Sequence, residues 1–249
     1  MRRRLRWLGH ATVLLDVGGA RLLTDPVLGT RLAHLRRHGP APDPPRHVDA
    51  VLVSHVHRDH LDRRSLRRVA GPDTTVVVPR GAAGLVARLG FGAVREVEAG
   101  DTVTIGGAAV RAVPAWHPAR RGPCAPLLAS VGFVADRIWF AGDTGPDDGL
   151  AALRGLVDVA LLPVWGWGPT LGPGHLDPAA AAGVVAQVAP AVAIPIHWGT
   201  FLPAGFGRRH ARLLTEPPRE FARHTAARAP GTRVVVLEAG AAWEDDGGA

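Results

Sequence analysis

Four side chains able to bind a metal fall within His55-Val56-His57-Arg58-Asp59-His60. Imidazole and carboxylate together suit zinc, manganese or iron. His55 and His57 are two apart, so on an extended backbone they project to the same side and can share one ion. Asp59 and His60 follow as the chain turns and can face a second ion. The cluster comes straight after the apolar run Val51-Leu52-Val53, which reads as a buried strand. A solvated His-rich surface loop is the alternative, but it gives no reason for that placement. Three more candidates follow apolar runs: His117, Asp143 and His197. Singly, each has an ordinary explanation, as a hydrogen-bonded structural histidine or as turn chemistry. Those explanations do not account for polar ligand types recurring after four apolar strands. Loops at strand ends on one edge of a sandwich can converge on one site.

The elements that must position them alternate along the chain. Strands are expected at 5–8 and 11–17, then, across the Gly18-Gly19 turn, at 20–24. Residues 28–49 lack a clear period and read as a long surface loop overhanging the site. After the metal-type loop come a helix over 62–70, a strand at 74–78, a helix over 81–89 and a strand at 94–97. A second hairpin is expected from 102–105 and 108–113, with His117 at a strand end and a loop over 119–126. A third hairpin, 130–134 with 137–140, ends in Gly142-Asp143-Thr144-Gly145, where glycines hold the aspartate in a tight turn. Residues 150–154 read as helical and 157–162 as a strand. Asp177 is the expected N-cap, and Pro178 the first residue, of a helix entering 179–189. A strand at 191–196, a helix over 217–228 and a strand at 233–237 complete the pattern, and the tail from Glu244 reads as frayed. Hairpins followed by alternating strands and helices, twice over, predict an α/β fold. Its layers are two packed sheets with helices outside, an αββα sandwich formed by a single domain over 1–249.

Composition narrows the function classes. With 249 residues and 47% hydrophobic content, the chain can bury a substantial core. A net charge of +7 would by itself suggest nucleic acid or an anionic surface. Yet all 29 basic residues are Arg, in a chain rich in Ala, Gly and Pro, which looks like GC-rich coding bias. Arg scattered over a solvated face is therefore favoured over an anion-binding face, and nucleic acid is not expected as a partner. The single cysteine, Cys124, excludes an internal disulfide and a Cys-based zinc cage. It is consistent with a reduced, cytoplasmic setting. Met1-Arg2-Arg3-Arg4 resembles a signal-peptide start, but His10 and Asp16 break the apolar stretch that follows. No run is long enough to span a bilayer, and peripheral membrane contact is not indicated.

Taken together, His55-x-His57-x-Asp59-His60, His117, Asp143 and His197 resemble the seven ligand positions of the metallo-β-lactamase superfamily of hydrolases, in order and approximate spacing. Trp7-Leu8-Gly9-His10-Ala11-Thr12, Thr24-Asp25-Pro26, Phe140-Ala141-Gly142-Asp143-Thr144-Gly145 and Ile196-His197-Trp198-Gly199-Thr200-Phe201 are similar to the branch holding N-acyl-phosphatidylethanolamine phospholipase D and ascorbate-6-phosphate lactonase. So is His175-Leu176-Asp177-Pro178, a His-containing segment before a helix.

The resemblance implies two divalent ions, zinc first and manganese or iron as alternatives. His55, His57 and His117 would hold one, Asp59, His60 and His197 the other, and Asp143 would bridge them. It implies a hydrolase that uses a metal-bridging hydroxide on a small-molecule substrate, with a phosphodiester expected and a lactone or other ester as the alternative. A non-catalytic metal-binding module is the competing class; a degraded ligand set would favour it, and this chain shows none. Asp59 is the expected group to orient the hydroxide and carry a proton. His175 is the candidate transition-state donor or general acid, balanced against a solvent-exposed helix-entry histidine. His10 and Asp25 are expected to support ligands rather than to be ligands. Trp116, Trp165, Trp167 and Trp198 are expected either to wall the pocket or to pack in the core. Arg120 and Arg121 follow His117, where they can meet a substrate anion, but surface exposure is the favoured reading.

Overall fold

The computed structural model describes residues 3–245. Its first half builds one sheet. Strands β1 (Arg4–Gly9), β2 (Thr12–Val17) and β3 (Ala20–Thr24) run antiparallel. After β4 (Arg31–Leu32) and β5 (Leu35–Arg37), β6 (Ala50–Leu52) pairs parallel with β3. Helix α1 (Arg63–Val69), β7 (Thr75–Pro79), helix α2 (Ala83–Val86) and β8 (Ala93–Val97) continue the parallel half.

The second half repeats this plan. Strands β9 (Thr102–Ile105), β10 (Ala108–Arg120), β11 (Leu127–Ala135) and β12 (Ile138–Phe140) are antiparallel. A 3-10 helix over Asp148–Leu153 leads to β13 (Val159–Pro163), then come α3 (Pro178–Val188) and β14 (Val192–Ile196). After β15 (Phe201–Pro203), α4 (Pro217–Arg228) and β16 (Arg233–Val234), β17 (Ala242–Glu244) crosses back to flank β1 in the first sheet.

The two seven-stranded sheets run β17-β1-β2-β3-β6-β7-β8 and β16-β14-β13-β12-β11-β10-β9. Their inner faces share one core, in which Leu5, Trp7, Val13 and Leu15 meet Val110, Phe133 and Phe140. On the outside, Leu66, Val69 and Val86 of the first two helices pack against Val51, Val76 and Val78, and α3 and α4 cover the second sheet. This is the αββα sandwich the residue pattern predicts. β6, β13 and β14 are buried end to end, as parallel strands covered on both faces must be. No helix among the described residues is long and apolar enough to cross a membrane.

Five expectations need correction. Residues 28–49 are not structureless: β4 and β5 pair with each other and β15 pairs with β5, a three-stranded flap whose last strand is remote in sequence. His117 does not end a strand, because β10 runs on to Arg120 with a register shift between Ala115 and Ala119. The 81–89 helix shrinks to the four residues of α2, and the 233–237 strand to two. Glu244 is not frayed: it pairs with Arg4 in β17, anchored by buried Trp243, and Asp245 accepts from Arg3; the rest of the expected tail lies outside the described residues. Asp177 caps α3 as expected, accepting from Ala180 N–H at 2.7 Å with Pro178 at the first position.

Candidate metal centre

Chain ends of the strands deliver the site. Asp25 follows β3, the His55–His60 loop follows β6, Asp143 follows β12 and His197 follows β14. The crevice outside the carboxyl ends of parallel strands is where α/β sheets bind ligands. His117 joins from the irregular stretch of β10, its carbonyl accepting from Ser130 Oγ. Val131 N–H donates to Ser54 O at 3.0 Å and ties the two sheets beneath the site. Gly142 makes that closeness feasible: its φ is +64°, and a Cβ there would lie 2.6 Å from Ser54 Cβ. His10, Asp25 and His197 all take left-handed φ (55°, 32° and 63°), a strained conformation that clusters at functional sites.

All seven expected ligand residues come together. His57 Nδ1 lies 3.1 Å from His55 Nε2 and 3.0 Å from His117 Nε2. His60 Nε2 and His197 Nε2 face each other at 3.0 Å. The Asp143 carboxylate stands between the groups, Oδ2 at 3.1 Å from His60 Nε2 and 3.9 Å from His55 Nε2, Oδ1 at 3.4 Å from His197 Nε2. Asp59 Oδ2 is farther out, 3.8 Å from His60 Nε2 and 3.9 Å from His197 Nε2.

The groups behind the rings decide which nitrogens carry hydrogen. His117 Nδ1 donates to Gly174 O at 2.8 Å, and His197 Nδ1 to Trp165 O at 2.8 Å. His60 Nδ1 donates to Asp25 Oδ2 at 2.6 Å. Ser54 Oγ donates to the same carboxylate at 2.5 Å and so accepts from His55 Nδ1 at 3.0 Å. In its neutral, metal-binding form each of these four rings therefore turns a bare Nε2 lone pair inward. His57 is less constrained, with only Arg120 N–H behind it at 3.5 Å, the limit of a hydrogen bond. Two bare lone pairs 3.0 Å apart repel unless a cation, either a proton or a metal ion, lies between them.

The field agrees. Burial opposes charge on His60, yet the carboxylates of Asp143, Asp25 and Asp59 outweigh it and raise the ring's pKa well above the ordinary range. Burial likewise opposes charge on Asp143, but His197 and His60 hold its pKa far below the usual carboxylate range. Burial pushes His117 down to about 4 and His10 to about 3. Asp143 Oδ1 is buried and accepts no hydrogen bond. An orphaned buried carboxylate oxygen beside converging imidazole lone pairs is what a divalent cation would satisfy, and an N/O donor set without thiolate suits zinc, manganese or iron. Cys124 is exposed.

The supporting residues differ in how visible they were. Asp25 lies behind both ligand groups, touching His60 directly and His55 through Ser54. Ser54, adjacent to His55, is the link that residue reading passed over. His10 is closer than expected: its Nε2 is 3.3 Å from Asp59 Oδ2, and it falls with Asp59, His60 and His197 in one metal-competent group. Trp167 Nε1 donates to Asp59 Oδ2 at 3.1 Å. The other tryptophans divide: Trp198 is buried and packs on Trp7 at 5.0 Å, while Trp116 is half exposed. His175 is part-buried, with Nδ1 donating to Gly172 O at 3.0 Å and Nε2 3.5 Å from Asp143 Oδ2. A cavity of about 470 Å³ opens over this edge, walled by His57, Asp59, Asp143, His175, Trp167 and the flap residue His34.

Sequence comparison agrees with this geometry. The beta-lactamase superfamily domain matches residues 20–198. A metal-dependent hydrolase of Methanopyrus kandleri is 32% identical over 97% of this chain and 99% of its own length. N-acyl-phosphatidylethanolamine-hydrolyzing phospholipase D 1 of Caenorhabditis elegans is 30% identical over 96% of this chain and 74% of its own. Among solved structures, the metallo hydrolase Igni18 of Ignicoccus hospitalis superposes with a TM-score of 0.73, at 19% identity and 99% coverage of both chains. The chain belongs to the metallo-β-lactamase superfamily and is a metal-dependent hydrolase.

Proposed function

We propose that this hydrolase is dinuclear and acts on a small-molecule phosphodiester. His55, His57 and His117 would hold one divalent ion, Asp59, His60 and His197 the other, and Asp143 both. The observation that carries the reading is the pair of converging imidazole clusters on either side of Asp143, whose buried Oδ1 accepts no hydrogen bond. Zinc is the first choice, with manganese or iron as alternatives. Two such ions, when bound, would supply a hydroxide nucleophile at neutral pH and Lewis acidity for the developing oxyanion. The phosphodiester substrate is favoured by the relative named for hydrolysing N-acyl-phosphatidylethanolamine, a phosphodiester lipid. The remaining assignments, one domain over 1–249 and a cytoplasmic setting, fit the shared inter-sheet core and the lone cysteine.

The protein's own groups then have defined tasks. Asp59 lines the cavity with Oδ2 held by Trp167 and His10; it would orient the nucleophile and take its proton. His175 lies beside Asp143 at the cavity wall. Burial disfavours its charge, but the hydrogen bond to Asp143 prevails and raises its pKa, which suits a proton donor to a leaving oxygen. The test is metal analysis of the purified protein with turnover of bis-p-nitrophenyl phosphate and of simple lactones, in wild type and His55→Ala. Two equivalents of metal, phosphodiester cleavage and loss of both in the variant are expected. One equivalent would exclude a dinuclear centre; cleavage of lactones alone would replace the substrate class; full metal with turnover of neither would favour a binding module.

A further inference from the structure

A second cavity, of about 560 Å³, adjoins the metal cavity. The two share Leu32 and Ala33 at the tip of the flap, together with Arg58 and Arg121. Its other charged walls are Arg31, Arg64 and Asp62. Four guanidiniums thus reach one concavity from four places in the chain: β4, the metal loop, α1 and the segment after β10.

One carboxylate, Asp62, stands among them, against four positive charges. The side chains of Arg31, Arg58 and Arg64 make no hydrogen bond or ion pair among the described residues. Asp62 caps α1, accepting from Ser65 N–H at 3.0 Å and Ser65 Oγ at 2.6 Å, and forms no ion pair with the arginines among the described residues; its single charge offsets only part of theirs. Arg121 is pinned as a wall: Nη1 donates to Val56 O at 3.0 Å and Leu61 O at 2.8 Å. Burial first, and then the charge of Arg58, lower its pKa. Like charges gathered in a concavity are relieved by an anion from solution, and the guanidinium fork matches an oxyanion in a bidentate way.

We propose that this cavity is an anion-binding annex of the metal site, seating an oxyanion (phosphate or carboxylate) that the substrate carries away from the bond being cut. The proposal rests on the hydrolase reading and adds to it: the substrate has two recognition points, the scissile bond at the metals and a remote anion at Arg31, Arg58 and Arg64. Arg58, between His57 and Asp59, makes the two points contiguous.

The test is calorimetric titration of the metal-loaded full chain with inorganic phosphate and, separately, acetate. Wild type is compared with Arg31→Ala/Arg64→Ala and with the charge-conserving Arg31→Lys/Arg64→Lys. Anion binding at the metals is common to all three, so the difference reports the annex. Weakening of about tenfold or more in the Ala variant is expected, with the Lys variant in between. A loss confined to phosphate assigns a phosphorylated substrate, and a loss confined to acetate a carboxylate. Affinities for both anions within twofold of wild type, in variants with unchanged metal content, would overturn the annex. The titration needs no turnover, so a chain that binds anions differentially but cleaves nothing would sink the hydrolytic assignment and leave the annex standing.

Discussion

His60 donates through Nδ1 to Asp25 Oδ2 at 2.6 Å, with both residues fully buried. Asp25 Oδ2 also accepts from Ser54 Oγ, which accepts from His55 Nδ1, and Asp25 Oδ1 accepts from Ser54 N–H at 2.7 Å. One carboxylate thereby sets the tautomer of a ring in each of the two ligand groups. Burial raises the Asp25 pKa while His60 and Ser54 pull it back down.

Asp25→Asn keeps the shape and removes the charge. An amide cannot accept at full strength from both His60 and Ser54, so both rings lose orientation. Metal affinity should fall by about 10–100-fold, the usual effect of losing such a partner. A competition titration against a chelator reads it directly. Wild-type affinity in the Asn variant would show that the loop backbone alone orients the rings.

The metal-stripped protein should be less stable in mild acid. His10 and His117 have folded-state pKa values near 3 and 4, below the ordinary value of about 6.5. Between those limits the unfolded chain binds protons that the folded chain refuses, so stability falls as pH drops. His55, His57 and His197 are shifted the same way, all chiefly by burial. His60 and His175 are raised, and their contribution has the opposite sign, being lost as pH rises through their folded values. Five lowered rings outnumber two raised ones. The urea midpoint of the chelated protein should be lower at pH 5 than at pH 7; a higher midpoint at pH 5 would show that the raised pair dominates. Metal restored at 100 times its dissociation constant should add about 2.7 kcal/mol per ion bound at pH 7.

Trp167→Phe removes the N–H that holds Asp59 Oδ2 but keeps a ring at the cavity wall, where it meets His34 at 5.1 Å. A charge-assisted hydrogen bond of this kind is worth roughly 1.5–3 kcal/mol. If Asp59 positions the nucleophile, kcat should fall about tenfold with KM little changed, and the melting temperature should drop by several degrees. A rise in KM at constant kcat would make Trp167 a substrate contact instead.

The local part of this design was legible in the residues, and the tertiary part was not. His55 to His60 announce themselves by spacing within one loop, and Asp177-Pro178 by capping chemistry. His117 was placed by its type, yet its strand was misread, because the register shift that carries it depends on β11 opposite. The flap escaped notice because β4 and β5 are two and three residues long and lean on Phe201–Pro203. Trp243 was the one signal for β17, a lone large apolar residue in a polar tail. Sequence position just after His117 marks Arg121 as a candidate anion contact, but only the fold collects it with Arg31, Arg58 and Arg64 around one concavity.

His175 offers the sharpest functional test. Its Nδ1 hydrogen is committed to Gly172 O, so a hydrogen bond from Nε2 to Asp143 requires the doubly protonated ring. That charge is what a departing oxygen would use. It also falls with His117 and Asp143 in a metal-competent group, which makes ligation the rival role. His175→Gln keeps a polar group of similar reach but has no proton to give. With His175 as the acid, metal content stays at the wild-type level, kcat falls about 10²–10⁴-fold, and the alkaline limb of the pH–rate profile disappears. Substrates with a better leaving group should recover most of the loss, since they need little protonation. Loss of one metal equivalent in the Gln variant would make His175 a ligand. An unchanged profile with full metal would leave it a helix-entry histidine with no part in the reaction.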